Sequence, residues 1–277
     1  MNERIQAVRG EELRQMMSEQ MAYDSNGKKV ILAGAIRDES VLSLQRLILK
    51  NRPDTTLEIG MAMGMSTLAI LYALKEMGSG SHIAIDPNQR AGSPDGYNGV
   101  GLRMVERAGL VQNFHFIEKP SYLALPQLVA EGKRFDFIFI DGYHTFDFAF
   151  VDYFYADLLL NDGGILVFDD VLLPMIDKVC WFLETHKVYQ RLGPKARHPL
   201  NPLSRLKRRL TKRGTRGGDP EWGGLQAYRK VRTTTVRPLF FHTRFYPYFR
   251  IWWVWRVLRG IVERFYKKKN LQRPMPF

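Results

Sequence analysis

At 277 residues, with 45% hydrophobic and 25% charged residues, the chain is long enough for one large α/β domain with appendages and too apolar for a disordered polymer. Its single cysteine, Cys180, excludes an internal disulfide framework and a cysteine-rich zinc site. The net charge of +13 is uneven: residues 1–180 hold 17 basic and 24 acidic residues, and residues 181–277 hold 24 basic and 4 acidic, so the basicity belongs to the C-terminal third.

The first element is a helical spacing of apolar residues over 3–22 (Ile5, Val8, Leu13, Met16, Met17, Met21), which predicts an amphipathic lead-in helix. A second helix, capped by Asp38 or Ser40, runs to Leu49 and is stopped by Pro53. The pattern then changes. TLEIG, HIAID, FHFIE, FDFIFID and GGILVFDD are short apolar runs ending in an acid or a glycine, separated by helical stretches such as STLAILYALKEM and GVGLRMVERAGL. Apolar strands alternating with helices predict a parallel sheet covered on both faces, with its ligand at the carboxyl ends of the strands. Glu58, Asp86, Asp141, Asp169 and Asp170 would then gather along one rim. A helix over 176–186 precedes KVYQRL, a basic Arg/Lys/Gly/Pro-rich loop over 193–224 and a last strand in GLQAYRKV.

Over 57–71, LEIGMAMGMSTLAIL places Gly60 and Gly64 where a chain turns from strand to helix and a ligand approaches the backbone. A tight packing turn explains the same spacing. The stretch lacks the Lys-Ser/Thr of a phosphate loop, and Glu58 suits a cationic ligand better than a phosphate. Asp86, one strand later, is placed to accept ribose hydroxyls, or else begins an Asp-Pro turn. Three carboxylates, Asp141, Asp169 and Asp170, make a hard, oxygen-rich set suited to Mg²⁺, or else Asp169 and Asp170 only cap the turn before Pro174. His144 suits a general base near neutral pH, or a satisfied loop histidine.

Together, LEIGMAMGMSTLAI, IAIDPNQ, IEKPSYLALPQL, FDFIFIDGYH and LNDGGILVFDDV resemble the class I S-adenosylmethionine-dependent methyltransferases, in the small-molecule O-methyltransferase branch related to catechol and macrolide-sugar enzymes. The resemblance covers residues 33–171. It implies a Rossmann-like, doubly wound, mostly parallel seven-stranded sheet, with an N-terminal helical lead-in (1–52), a cofactor domain (53–235) and a basic amphipathic extension (236–277). It further implies S-adenosylmethionine held by Glu58, Gly60, Gly64, Ser66, Asp86, Ser121 and Asp141. A divalent cation such as Mg²⁺ would sit on Asp141, Asp169 and Asp170, with His144 and Asp141 catalytic toward a small-molecule hydroxyl acceptor. Lys119-Pro120 replaces the small or acidic residues usual beside adenine in that family.

The tail over 248–268, YFRIWWVWRVLRGIVERFYKK, sets an apolar face against a basic one, as binding to an anionic membrane surface requires. Packing on its own domain or on a second subunit of a homo-oligomer uses the same pattern, and nucleic acid is the weaker partner. With no apolar run of signal-peptide or membrane-spanning length, the expected location is cytoplasmic, with peripheral attachment at the inner face of a membrane left open. An RNA methyltransferase and a non-catalytic membrane-associated protein that keeps the cofactor fold are the alternatives.

Overall fold

The computed structural model describes residues 3–90, 96–194 and 222–232. Its frame is a seven-stranded sheet. In chain order the strands are β3 (Thr55–Ile59), β4 (Ser81–Ile85), β5 (Phe114–Ile117), β6 (Phe135–Ile140), β7 (Leu160–Phe168), β8 (Tyr189–Leu192) and β9 (Gln226–Lys230). In space they run β5-β4-β3-β6-β7-β9-β8. The five on the β5 side are mutually parallel, and β9 is antiparallel to both β7 and β8. The chain lays strands outward from β3 to β5, then returns to place β6 on the other side of β3. That reversal leaves a crevice at the strand ends beside β3.

The central strands are apolar at successive positions because both faces are covered. Phe137, Phe139, Ile165, Val167 and Ala227 pack into one core with helices α3 (Asp38–Asn51), α4 (Met65–Met77) and α5 (Val100–Arg107). The alternate residues Leu57, Ile59, Ile138, Ile140, Leu166 and Phe168 pack into a second core with α6 (Ser121–Ala130), α7 (Phe146–Leu159) and α8 (Pro174–His186). A strand with period two therefore feeds two layers.

The lead-in departs from the single helix expected over 3–22. It breaks into α1 (Glu3–Gln6) and α2 (Glu11–Glu19), followed by a hairpin of β1 (Met21–Tyr23) and β2 (Lys29–Ile31). The break falls at Gly10, whose φ is 99° and whose Cβ would lie 2.2 Å from the Tyr72 ring. A side chain there could not coexist with that packing. Arg9 beside it donates its N–H to Gln45 at 2.9 Å, which ties the lead-in to α3. Helix α3 has Arg37 as its N-cap, with Asp38 in the first turn and no side-chain cap. It ends at Asn51, two residues past the expected Leu49, with Arg52 as its C-cap before Pro53.

No helix among the described residues is long and apolar enough to cross a membrane. The tail over 248–268 and most of the basic loop expected over 193–224 lie outside the described residues.

Candidate functional site

The site begins where each strand's hydrogen bonding continues one residue past its end. Asp86 N–H donates to Ile117 O, Gly60 N–H to Ile85 O, Asp141 N–H to Ile59 O and Asp169 N–H to Ile140 O, at 2.8–3.2 Å. Four backbone positions are thereby fixed in one row in the order Asp86, Gly60, Asp141, Asp169. Strands lie about 4.8 Å apart, so glycine makes the low point between two acids. At Gly60 φ is 92°, and a Cβ would lie 2.0 Å from Asp141 O. The expected glycine thus meets a real close approach of two chains.

Above this row opens a cavity of about 280 Å³, lined among others by Gly60, Ala62, Asp86, Ser121, Asp141, Tyr143, His144 and Phe148. On its left wall, Asp86 accepts N–H bonds from Met61 and Ala62 at 3.0 and 2.8 Å, and from Asn88 at 2.7 Å. Its carboxylate therefore holds the glycine turn in shape. Burial pushes its pKa up, and the three backbone donors pull against that.

On the right wall, His144 Nε2 stands 3.4 Å from Asp141 Oδ1 and 3.2 Å from Asp170 Oδ2. Asp170 reaches this position from a left-handed backbone, φ 50°. Its neighbour Asp169 is buried. Burial raises Asp141 to about 6, against the pull of the His144 hydrogen bond. Burial also raises Asp169, helped by the negative charges of Asp141 and Asp170. The hydrogen bond to Asp141 raises His144. The cluster is thus short of positive charge and fit to receive some.

Comparison with known proteins follows from this geometry. Residues 57–171 match a family described as a methyltransferase domain. It is 33% identical over 124 residues to caffeoyl-CoA O-methyltransferase 3 of Nicotiana tabacum, covering 42% of this chain and 46% of that one. It is 34% identical over 136 residues to tapetum-specific methyltransferase 1 of Arabidopsis thaliana, covering 49% and 54%. The match spans about half the length of these curated relatives. The O-methyltransferase of Bacillus cereus in complex with SAH superposes with a TM-score of 0.55 at 18% identity, over 83% of this chain and 92% of that one. TomG of Streptomyces achromogenes, solved with SAM, gives 0.54 at 16%, over 84% and 91%. At these identities the structural likeness establishes the fold.

Of the residues expected to form the site, Gly60, Asp86, Ser121, Asp141 and His144 line the cavity, whereas Glu58, Gly64 and Ser66 do not. Glu58 is fully buried in β3, accepting from Thr67 Oγ1 at 2.5 Å and lying 3.2 Å from His82 Nε2. It ties α4 to two strands behind the cavity wall, because even positions of β3 face that layer. Gly64 begins α4 with φ 86° against the backbone of Gly101.

The expected metal trio does not converge on one point in this structure. Among the described residues no group of three or more His, Cys, Asp or Glu side chains is arranged to hold a metal ion. Asp141 and Asp170 converge on His144, while Asp169 Oδ1 lies 2.9 Å from where a Gly224 Cβ would stand. The donors have the right chemistry for a hard cation, but an imidazole fills the point that two of them share.

Two features escaped sequence reasoning. Tyr143 and Phe148, with ring centroids 5.2 Å apart, form an aromatic wall, and a Tyr directly after Asp141-Gly142 was the available signal. Asp152 on α7 is 1% exposed, accepts from Ser121, and leaves Oδ1 without a partner. Burial raises it to about 6. The unfolded chain therefore ionises first as pH rises from about 4 to about 6, and stability falls across that window by up to about 3 kcal/mol. Asp152→Asn should be indistinguishable from the wild type below pH 4. At pH 7.5 it should be about 1–3 kcal/mol more stable in urea; equal unfolding midpoints at pH 7.5 would show that the carboxylate carries no such penalty.

Proposed function

We propose that this chain is an S-adenosylmethionine-dependent O-methyltransferase acting on a hydroxyl of a small molecule. The observation that carries the reading is one cavity with a glycine turn braced by Asp86 on one wall and a His144–Asp141–Asp170 cluster on the other. The names of the O-methyltransferase relatives support the reaction class.

Asp86 is suited to bind a ribose diol, since each carboxylate oxygen accepts more than one hydrogen bond. Ser121, Tyr143 and Phe148 suit an adenine ring by stacking and a polar edge. S-adenosylmethionine supplies an electrophilic methyl on a sulfonium, and a chain of carboxylates along the rim favours that positive charge.

His144 then removes the acceptor's proton. With Nε2–H directed at Asp141 and Asp170, Nδ1 is the atom left to accept it, and the two carboxylates stabilise the imidazolium that results. Divalent-metal assistance belongs to the same proposal. Asp141, Asp169 and Asp170 are the carboxylates that would hold such an ion, and it would supply positive charge beside the acceptor hydroxyl.

The test is calorimetric titration of S-adenosylhomocysteine into the full chain, with Mg²⁺ and with a chelator. Transfer of labelled methyl is then assayed on caffeoyl-CoA, simple catechols and sugars. Asp86→Ala should weaken S-adenosylhomocysteine roughly 10- to 100-fold, the worth of charge-assisted hydrogen bonds plus the lost brace on the glycine turn. Absence of S-adenosylhomocysteine binding by the folded wild type would end the proposal.

A further inference from the structure

A second concavity of about 340 Å³ lies on the α3 flank of the sheet, between that helix and the β8 and β9 edge. Arg46 and Lys50, four residues apart on α3, share one face of the helix and both line it. Arg229 of β9 points in from the sheet, held by its Nη2 donating to Asn51 Oδ1 at 2.7 Å and its Nη1 to Gly163 O at 3.3 Å. Arg191 also borders the space, but its guanidinium is engaged by Glu184 on the other face. One wall is the indole of Trp222. Gly193 makes this possible, since a Cβ there would lie 2.4 Å from the ring.

Among the described residues no carboxylate lines this concavity. Other arginines of the same layer are paired: Arg4 with Glu39, Arg9 with Glu76, Arg107 with Glu12. Arg46 and Lys50 make no ion pair among the described residues. This occurs in a stretch, residues 1–180, with seven more acidic than basic residues. Three cations around one hollow repel one another unless an anion sits among them. A guanidinium held in place beside two mobile cations and an aromatic wall is suited to a multiply charged phosphate carrying an apolar or ring portion.

We propose that this concavity, formed by Arg46, Lys50, Arg229 and Trp222, binds a phosphate-bearing ligand. It is separate from the methyl-transfer cavity, with which it shares no lining residue. The inference does not depend on the chain's activity. The ligand's phosphate comes either from a free small molecule or from a lipid headgroup, and the chemistry is common to both.

The experiment titrates inorganic pyrophosphate into the full chain by calorimetry, and separately measures co-sedimentation with vesicles containing phosphatidic acid. The proteins are the wild type, Arg46→Ala/Lys50→Ala, and Lys133→Ala/Arg134→Ala, which removes the same charge from an exposed loop elsewhere. Thermal unfolding checks that each is folded. The concavity pair should lose at least tenfold in pyrophosphate affinity, and the loop pair less than twofold. A loss seen only with vesicles assigns the phosphate to a lipid headgroup. Equal losses in the two variants, or no loss in either assay, would overturn the site.

Discussion

Gly60→Ala is expected to abolish S-adenosylhomocysteine binding and to lower stability by about 3 kcal/mol or more. The new Cβ would stand 2.0 Å from Asp141 O and 2.7 Å from its carbonyl carbon, and φ is 92°. The clash is with backbone, so no rotamer relieves it. The row Asp86, Gly60, Asp141 is fixed by hydrogen bonds that extend β3 and β6, so either the glycine turn or the Asp141 strand end must move. Both border the cavity. For a domain of this size the melting temperature should drop roughly 6–12 °C. Gly132→Ala is the matched control. Its φ is also positive, at 70°, but nothing lies within 4 Å of its Cβ position, so only the backbone term remains, about 1 kcal/mol. If Gly60→Ala and Gly132→Ala melted alike and Gly60→Ala bound S-adenosylhomocysteine normally, the close approach would have no bearing on the site.

His144→Ala is expected to slow methyl transfer by roughly 10²- to 10⁴-fold, the range for loss of a positioned general base. The side chain is 41% exposed, so its removal leaves no buried cavity. Stability and S-adenosylhomocysteine affinity should stay within a few-fold of the wild type. Single-turnover rates separate the step itself from product release, and free imidazole should restore part of the rate to the truncated protein. A rate loss matched by an equal loss of cofactor affinity, with no rescue, would reduce His144 to a loop-ordering residue.

The misreadings have different causes from the readings that held. Gly60, Asp86 and Asp141 were legible as cavity residues because strand-end position is a local property, read from where an apolar run meets a turn, whereas Ser121 came from the family resemblance. Glu58 was misplaced because a strand residue's face depends on register, and one position's difference from Ile59 turned it from the crevice to α4. The lead-in was read as one helix because Ile5 to Met21 keeps a helical period; Gly10 breaks it only because the Tyr72 ring, distant in sequence, occupies its Cβ position. Asp152 gave no signal, since an acid inside a helical run reads as a solvated face until α6 and the Asp141–Gly142 turn pack over it.

The sequence by itself determined the alternation of strands and helices, and with it a sheet buried on both faces and acids at its carboxyl rim. Those follow from local hydrophobic pattern and turn chemistry. Only the tertiary structure decided which acids face one another, that His144 stands between Asp141 and Asp170, and that Arg46, Lys50 and Arg229 meet around one hollow. Such neighbourhoods join residues up to 183 positions apart, from Arg46 to Arg229, through sheet order and layer packing. A one-dimensional pattern fixes which way a side chain can point, and only packing fixes what it points at.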